Sequence, residues 1–337
     1  MAIWVNNLAA LLRDQGELVR ARTLYERAVR IREATFGPDD SELTIWRSNL
    51  GGVLQSQGDL AGARVLFEQS LGLMEAAYGP EHPNVATAAS NLASVLQAQG
   101  DLARASALLE RSLHIDQQAY GPDHPDVARD LNNLGRLRQE QGNLGGARVL
   151  FEGAVRISQA TLGPNHTNVA TSLNNLGDVL RAQGDLGAAS ECLERALRIT
   201  EAALGPEHLE VASRLNNLGI VLLRQGDLVG ARALHERAVR IGQAALGPDH
   251  RDVAAWLNNL ASVLRAQGDL AQAGALYERA LRIGEARLGP EHPDLASWLN
   301  NLGEVLRAEG DLARARQYHE RALQIGVTPT LLRPAAK

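Results

Sequence analysis

The sequence predicts an all-α fold, a solenoid of eight stacked helix-turn-helix repeats. Three observations lead there: an internal period of 42 residues that never slips, apolar stripes of helical spacing within each period, and helix stop signals at two fixed places in it. The dipeptide Gln-Gly, Glu-Gly in the last copy, puts its glycine at Gly16, Gly58, Gly100, Gly142, Gly184, Gly226, Gly268 and Gly310. Gly-Pro keeps the same period at Gly37, Gly79, Gly121, Gly163, Gly205, Gly247 and Gly289. A period of this size marks units that cannot bury an apolar face alone and must stack.

Within each unit the first helix begins near His-Pro-Asp, because proline suits the first helical position and aspartate the positive end of the helix dipole. It ends at Gln-Gly. Small residues at Ala9, Gly51, Ala93, Gly135, Gly177, Gly219, Ala261 and Gly303 let its partner helix come close. The second helix starts at Glu17, Asp59, Asp101, Asn143, Asp185, Asp227, Asp269 or Asp311, mostly good N-cap residues. Its apolar stripe, for example Leu144, Ala147, Phe151, Ala154 and Ile157, has helical spacing. It stops at Gly163-Pro164, where glycine can take a cap conformation and proline cannot continue the helix. Glu-to-Arg pairs four apart (Glu26 to Arg30, Glu194 to Arg198, Glu236 to Arg240, Glu278 to Arg282) are expected on the solvent side. The array is expected over residues 1–325, with an irregular tail at 326–337.

Composition excludes several functions. With 45% hydrophobic and 22% charged residues the chain is neither disordered nor membrane-embedded. A net charge of −5 argues against nucleic-acid and anionic-membrane partners. No signal peptide is visible at the N-terminus, so a cytoplasmic location is expected. Lys337 is the only lysine, which excludes a phosphate-binding lysine loop and a Schiff-base lysine within the repeats. The bias toward arginine, alanine and glycine suggests a GC-rich bacterial source.

Sharper chemical readings fail. His82, His124, His166, His208, His250 and His292 recur once per repeat, too far apart for one metal ion, and read as linker caps. His235 and His319 fill the place of Tyr25, Phe67, Phe151 and Tyr277 and read as packed aromatics. Cys192, the lone cysteine, stands where most repeats have leucine and reads as a small hydrophobe. Trp4, Trp46, Trp256 and Trp298 share one place that holds Ala88, Asp130, Ser172 and Arg214 in the other repeats. Because that place accepts charge, it is expected to be partly exposed, with the tryptophans either packed on the adjacent repeat or available to a partner.

The run Leu131-x-x-Leu134-Gly135, then Gly142, Ala147, Phe151 and Ala154, resembles the tetratricopeptide (TPR) pattern. The longer unit, with Gly-Pro-Asp-His-Pro-Asp ahead of Asn-Asn-Leu-Gly, resembles the repeats of kinesin light chain and its bacterial relatives. Arg138, where the other seven repeats have leucine, departs from the pattern. The resemblance implies a right-handed superhelix whose first helices line a concave groove, with groove residues at Arg129, Asn133, Arg136 and Glu140 in the fourth repeat. The second of these places is asparagine in all eight repeats: Asn7, Asn49, Asn91, Asn133, Asn175, Asn217, Asn259 and Asn301. Two roles are open for them. Their amides can pair with the backbone of a bound peptide, or they can bond to a neighbouring helix and set repeat geometry.

In the varying groove places, Arg13, Arg129, Arg136, Arg181, Arg224, Arg265 and Arg307 outnumber Asp14, Glu140, Asp178 and Glu304 by three. The expected function is a non-catalytic protein-interaction scaffold that binds an extended, acidic peptide and needs no cofactor or metal. The alternative is the sensor or effector-binding array of a larger bacterial signal-transducing ATPase or other regulator. Neither end carries an evident polar cap, so end-to-end self-association, or continuation into a longer chain, is expected.

Overall fold

The computed structural model describes residues 2–37, 40 and 42–327, with Asp14 and Val327 described by their backbone alone. Among the described residues there are sixteen helices and no strand. The unit Met1–Pro164 holds four hairpins: α1 (Ala2–Asp14) with α2 (Leu18–Phe36), α3 (Leu43–Ser56) with α4 (Leu60–Tyr78), α5 (Pro83–Ala98) with α6 (Leu102–Tyr120), and α7 (Pro125–Glu140) with α8 (Leu144–Leu162). The unit Asn165–Lys337 holds four more: α9 (Thr167–Gln183) with α10 (Leu186–Leu204), α11 (Leu209–Gln225) with α12 (Leu228–Leu246), α13 (Arg251–Gln267) with α14 (Leu270–Leu288), and α15 (Asp294–Glu309) with α16 (Leu312–Val327). In each unit a helix packs on its hairpin partner, on the next hairpin, and lightly on the helix two places along. That is the contact pattern of a solenoid. Of the tail expected over 326–337, residues 326 and 327 belong to α16. Residues 328–337 lie outside the described residues.

Local chemistry sets the helix ends. Asp59 accepts from the Gly62 amide at 3.0 Å and Asn143 from the Gly146 amide at 2.9 Å, each satisfying an orphan donor of the first turn. Glu17 makes no such cap; its longer side chain pairs with Arg20 instead. All six linker histidines cap as expected: Nδ1 accepts from the amide two residues on, at 3.1 Å from Asn84 and 3.2 Å from Asp126, for instance. Gly184 turns the chain out of α9 at φ 87°, ψ 1°, a left-handed conformation that a Cβ would strain.

Ion pairing on the second helices differs from expectation. Of the four predicted Glu-to-Arg pairs, Glu194–Arg198 is present at 3.8 Å. Glu26 and Glu236 instead take the arginine four residues before them, Arg22 and Arg232. Arg240 reaches back to Glu207, and Glu278 pairs with Arg314 of the next hairpin. Two of these changes stay within one helix, where an arginine four residues earlier takes the carboxylate; in the others stacking brings Glu207 and Arg314 within reach.

Inside a hairpin the small residue of the first helix faces the aromatic place of the second. A Cβ on Gly135 would stand 2.6 Å from the Phe151 ring, and one on Gly219 would stand 2.7 Å from His235. His235 is fully buried, as a packed aromatic should be, and burial pulls its imidazole down to about pKa 4. His319 is half-buried, with Nδ1 at 3.0 Å from Asn300 Oδ1. Cys192 is also half-buried.

Between hairpins the tryptophan place is buried, contrary to expectation. Trp46, Trp256 and Trp298 are 6–8% exposed, and Asp130 is fully enclosed. The cause is a paired residue 14 positions earlier, on the preceding second helix. Trp256 covers Gly242 and Trp298 covers Gly284, where a Cβ would meet the indole at 2.3 and 2.7 Å. Trp46 lies under the Arg32 guanidinium, 5.0 Å from its carbon. Met74 packs with Ala88, and Asp116 meets Asp130. At Asp130 the charge is accepted with a counterpart that varies with it, whereas Arg214, opposite Thr200, stays half-buried and lies 3.8 Å from Glu210 of its own helix. Arg138 likewise keeps its place by lying along the junction and pairing with Glu110 at 2.6 Å and Gln141 at 2.9 Å.

Candidate peptide-binding groove

In the unit Met1–Pro164 the first helices α3, α5 and α7 bring one row of polar side chains to a common surface. A cavity of about 570 Å³ opens there, lined by Asn91, Ser94 and Gln97 of α5 and by Arg129, Asn133 and Arg136 of α7. A second cavity, about 290 Å³, shares Asn91 and adds Asn49, Thr44, Ile45 and Tyr78. Five of the predicted groove residues therefore meet in one place: Asn91, Asn133, Arg129, Arg136 and Glu140, the last accepting from Gln97 at 2.5 Å. Arg129 is anchored from below, its Nη1 donating to Asp126 at 2.5 Å and its Nη2 to Asp116 at 3.1 Å. Arg136 is exposed and has no partner among the described residues.

The remaining predicted residues are spread out. Asn7 is exposed at the start of the unit, and the side chain of Asp14 lies outside the described residues. In the unit Asn165–Lys337, Arg181 pairs with Asp178 at 3.1 Å and Arg307 with Glu304 at 2.6 Å, so each cation is offset on its own helix. Arg265 stands exposed near Tyr277, and Asn175 is half-buried.

The asparagines divide by unit. Asn217 Nδ2 donates to Asn174 Oδ1 at 3.0 Å, Asn259 to Asn216 at 2.9 Å and Asn301 to Asn258 at 3.4 Å. These bonds run from repeat to repeat as a ladder. In the other unit the same place holds Asn6, Ser48, Ser90 and Asn132; Asn6 Oδ1 accepts no bond among the described residues, and Ser90 turns inward to Ser112 at 2.9 Å. The side-chain amides of Asn91 and Asn133 make no hydrogen bond among the described residues and line the cavity, while the Asn91 carbonyl accepts from Ser94 at 2.8 Å.

The family comparison falls on the same units. The tetratricopeptide repeat model matches residues 1–73, 41–118, 85–152, 131–202, 187–244, 210–273 and 252–326. The chain belongs to the tetratricopeptide repeat family. Such repeats mediate protein–protein interaction. No curated protein matches the sequence. Among solved structures, BtubC (BKLC) from P. vanneervenii is 27% identical with a TM-score of 0.58, covering 69% of this chain and 92% of its own. A putative kinesin light chain from Podospora anserina, with nearly identical TPR-like repeats, is also 27% identical, with a TM-score of 0.51 over 60% of this chain and 96% of its own. The apo form of RapI, at 15% identity and a TM-score of 0.64, shares the fold.

Two features of this tetratricopeptide groove escaped the sequence reading. One is the acceptor of the ladder, Asn174, Asn216 and Asn258, which residue type alone does not reveal because Asn-Asn also stands at 6–7, where Asn6 Oδ1 accepts no bond among the described residues. The other is the Asp116–Asp130 pair beneath Arg129. Burial pushes the Asp130 carboxyl up to about pKa 7 and raises Asp116 as well, with Arg129 opposing both. A protonated Asp130 can donate to Asp116, which in turn accepts from Arg129. The guanidinium at the groove floor thus rests on two buried carboxyl groups whose burial favours the protonated form.

Proposed function

We propose that the chain is a protein-interaction scaffold, without chemistry of its own, that holds an extended acidic segment of a partner protein across α3, α5 and α7. The observation that supports this is the pair of uncommitted amides, Asn91 and Asn133, on successive first helices beside Arg129 and Arg136. An amide presents both donors and an acceptor to a peptide unit whatever its side chain. Packed helices stand about 8–10 Å apart and an extended chain rises about 3.3 Å per residue, so each asparagine serves about three ligand residues. The unpaired Arg136 favours a carboxylate, while Arg129 is offset by Asp126 and Asp116. The ladder of Asn217, Asn259 and Asn301 serves repeat geometry instead.

The test is an array of extended peptides graded from neutral to acidic, probed with the intact chain and two double variants. Asn91→Ala with Asn133→Ala is expected to lose at least about tenfold in affinity while keeping helicity and melting temperature. Asn217→Ala with Asn259→Ala is expected to keep affinity and lose stability. Binding to the acidic peptides should weaken with added salt. Equal binding by the wild type and the first variant would remove the groove assignment.

A further inference from the structure

The two outermost hairpins each present half of an internal junction. Trp4 stands in the tryptophan place of α1 and is 77% exposed, against 6% for Trp256 and 8% for Trp298. Leu8 and Leu11 are exposed beside it, in places where Leu302, Leu260, Val53 and Val305 are buried. At the other end Gly326 of α16 occupies the place of Gly242 and Gly284, and a Cβ on it would meet nothing. Leu323 is exposed where its counterparts Leu281 and Val239 are buried.

The polar contacts continue the same register. At internal junctions Gln99 donates to the Leu60 carbonyl at 3.3 Å, Gln225 to Leu186 at 3.0 Å and Gln267 to Leu228 at 3.2 Å. Gln15 of the first hairpin is the equivalent donor, and Leu312 of the last carries the equivalent carbonyl. Arg104 meets Glu68 at 3.7 Å and Arg314 meets Glu278 at 2.8 Å; their equivalents at the outer hairpins are Arg20 and Glu320, of opposite charge.

We propose that the chain associates head to tail with a second copy of itself, α1 of one copy docking on α16 of the next, with Trp4 seated over Gly326. A second copy is the occupant that the register specifies, since α16 has the glycine that α12 and α14 offer and α1 has the tryptophan that fits it. An interface of two unlike surfaces leaves one of each kind free, so assembly proceeds beyond a dimer.

Sedimentation equilibrium over a wide concentration range tests this. The wild type is expected to rise above its 36.2 kDa chain mass as concentration increases. Trp4→Ala, at an exposed site, should weaken association at least about 30-fold with helicity unchanged. Gly326→Trp should do the same by filling the socket. Mixed in equal amounts, the two variants should restore one interface and stop at a mixed dimer, because one keeps α16 intact and the other keeps α1. A wild type that stays monomeric throughout would overturn the proposal. So would a mixture that stays monomeric, or association that either variant leaves unchanged.

Discussion

Asp130 sits fully enclosed where four other repeats carry tryptophan, and its ionisation gives stability a pH dependence of definite sign. An unfolded aspartate loses its proton near pH 4, whereas Asp130 in the fold keeps its own up to about 7. The folded chain binds the extra proton, so stability falls as pH rises from about 4 to about 7. The surrounding charges are Asp116, Arg129, Asp126 and His124. Asp130→Asn is expected to stabilise on the order of 2–4 kcal/mol at pH 8 and much less at pH 4.5, read by urea unfolding at both. His235 has the opposite sign. Its folded pKa of about 4 lies below the ordinary 6.5, so its contribution is present above pH 6.5 and disappears as pH falls toward 4. His235→Phe, copying Phe67 and Phe151, should remove an acid-side loss of about 3 kcal/mol, seen as a flatter melting-temperature profile from pH 7 to pH 4.5.

Hairpins are held by close approach of their two helices. Gly135 shows the limit, since its hydrogen faces the Phe151 ring at a distance that no methyl fits. Gly135→Ala is expected to cost about 1–3 kcal/mol through overpacking, measurable by denaturant unfolding, with Phe151→Leu in the same chain recovering part of it. The helices and their ends were legible because they rest on local chemistry: Asp59, His124 and Gly163 act on neighbours a few residues away. The groove was legible in part. Asn91, Asn133, Arg129 and Arg136 followed from one register, but which amides stay uncommitted depends on how the residue 43 places earlier is turned: Asn174, Asn216 and Asn258 accept, Ser90 turns to Ser112, and Asn6 Oδ1 accepts no bond among the described residues. The tryptophans of α3, α13 and α15 pack on the adjacent repeat, one of the two readings expected, but more deeply than expected because their burial is decided by residue 32, 242 or 284, on a different helix. A single-position comparison across repeats sees Asp130 and Trp256 as alternatives, whereas the fold treats Asp116 with Asp130, and Gly242 with Trp256, as interchangeable pairs.

Across the whole molecule the two titrating groups lie in different units, Asp130 in Met1–Pro164 and His235 in Asn165–Lys337. Hydrogen exchange read by mass spectrometry should show the first unit opening more readily at pH 8 than at pH 5. The second should do the reverse, once rates are corrected for intrinsic pH effects. Parallel responses in both units would contradict the assignment. The paired junctions also bear on how such a gene can change length. A tandem duplication of codons 243–284 sets Gly284 before a new copy of Trp256, and the fit is preserved. Duplicating codons 75–116 sets Asp116 against a new copy of Ala88, burying a carboxyl without its companion. Recombination can therefore add or drop repeats at the glycine–tryptophan end with little penalty, while the middle of the array is fixed in copy number by its own mismatches.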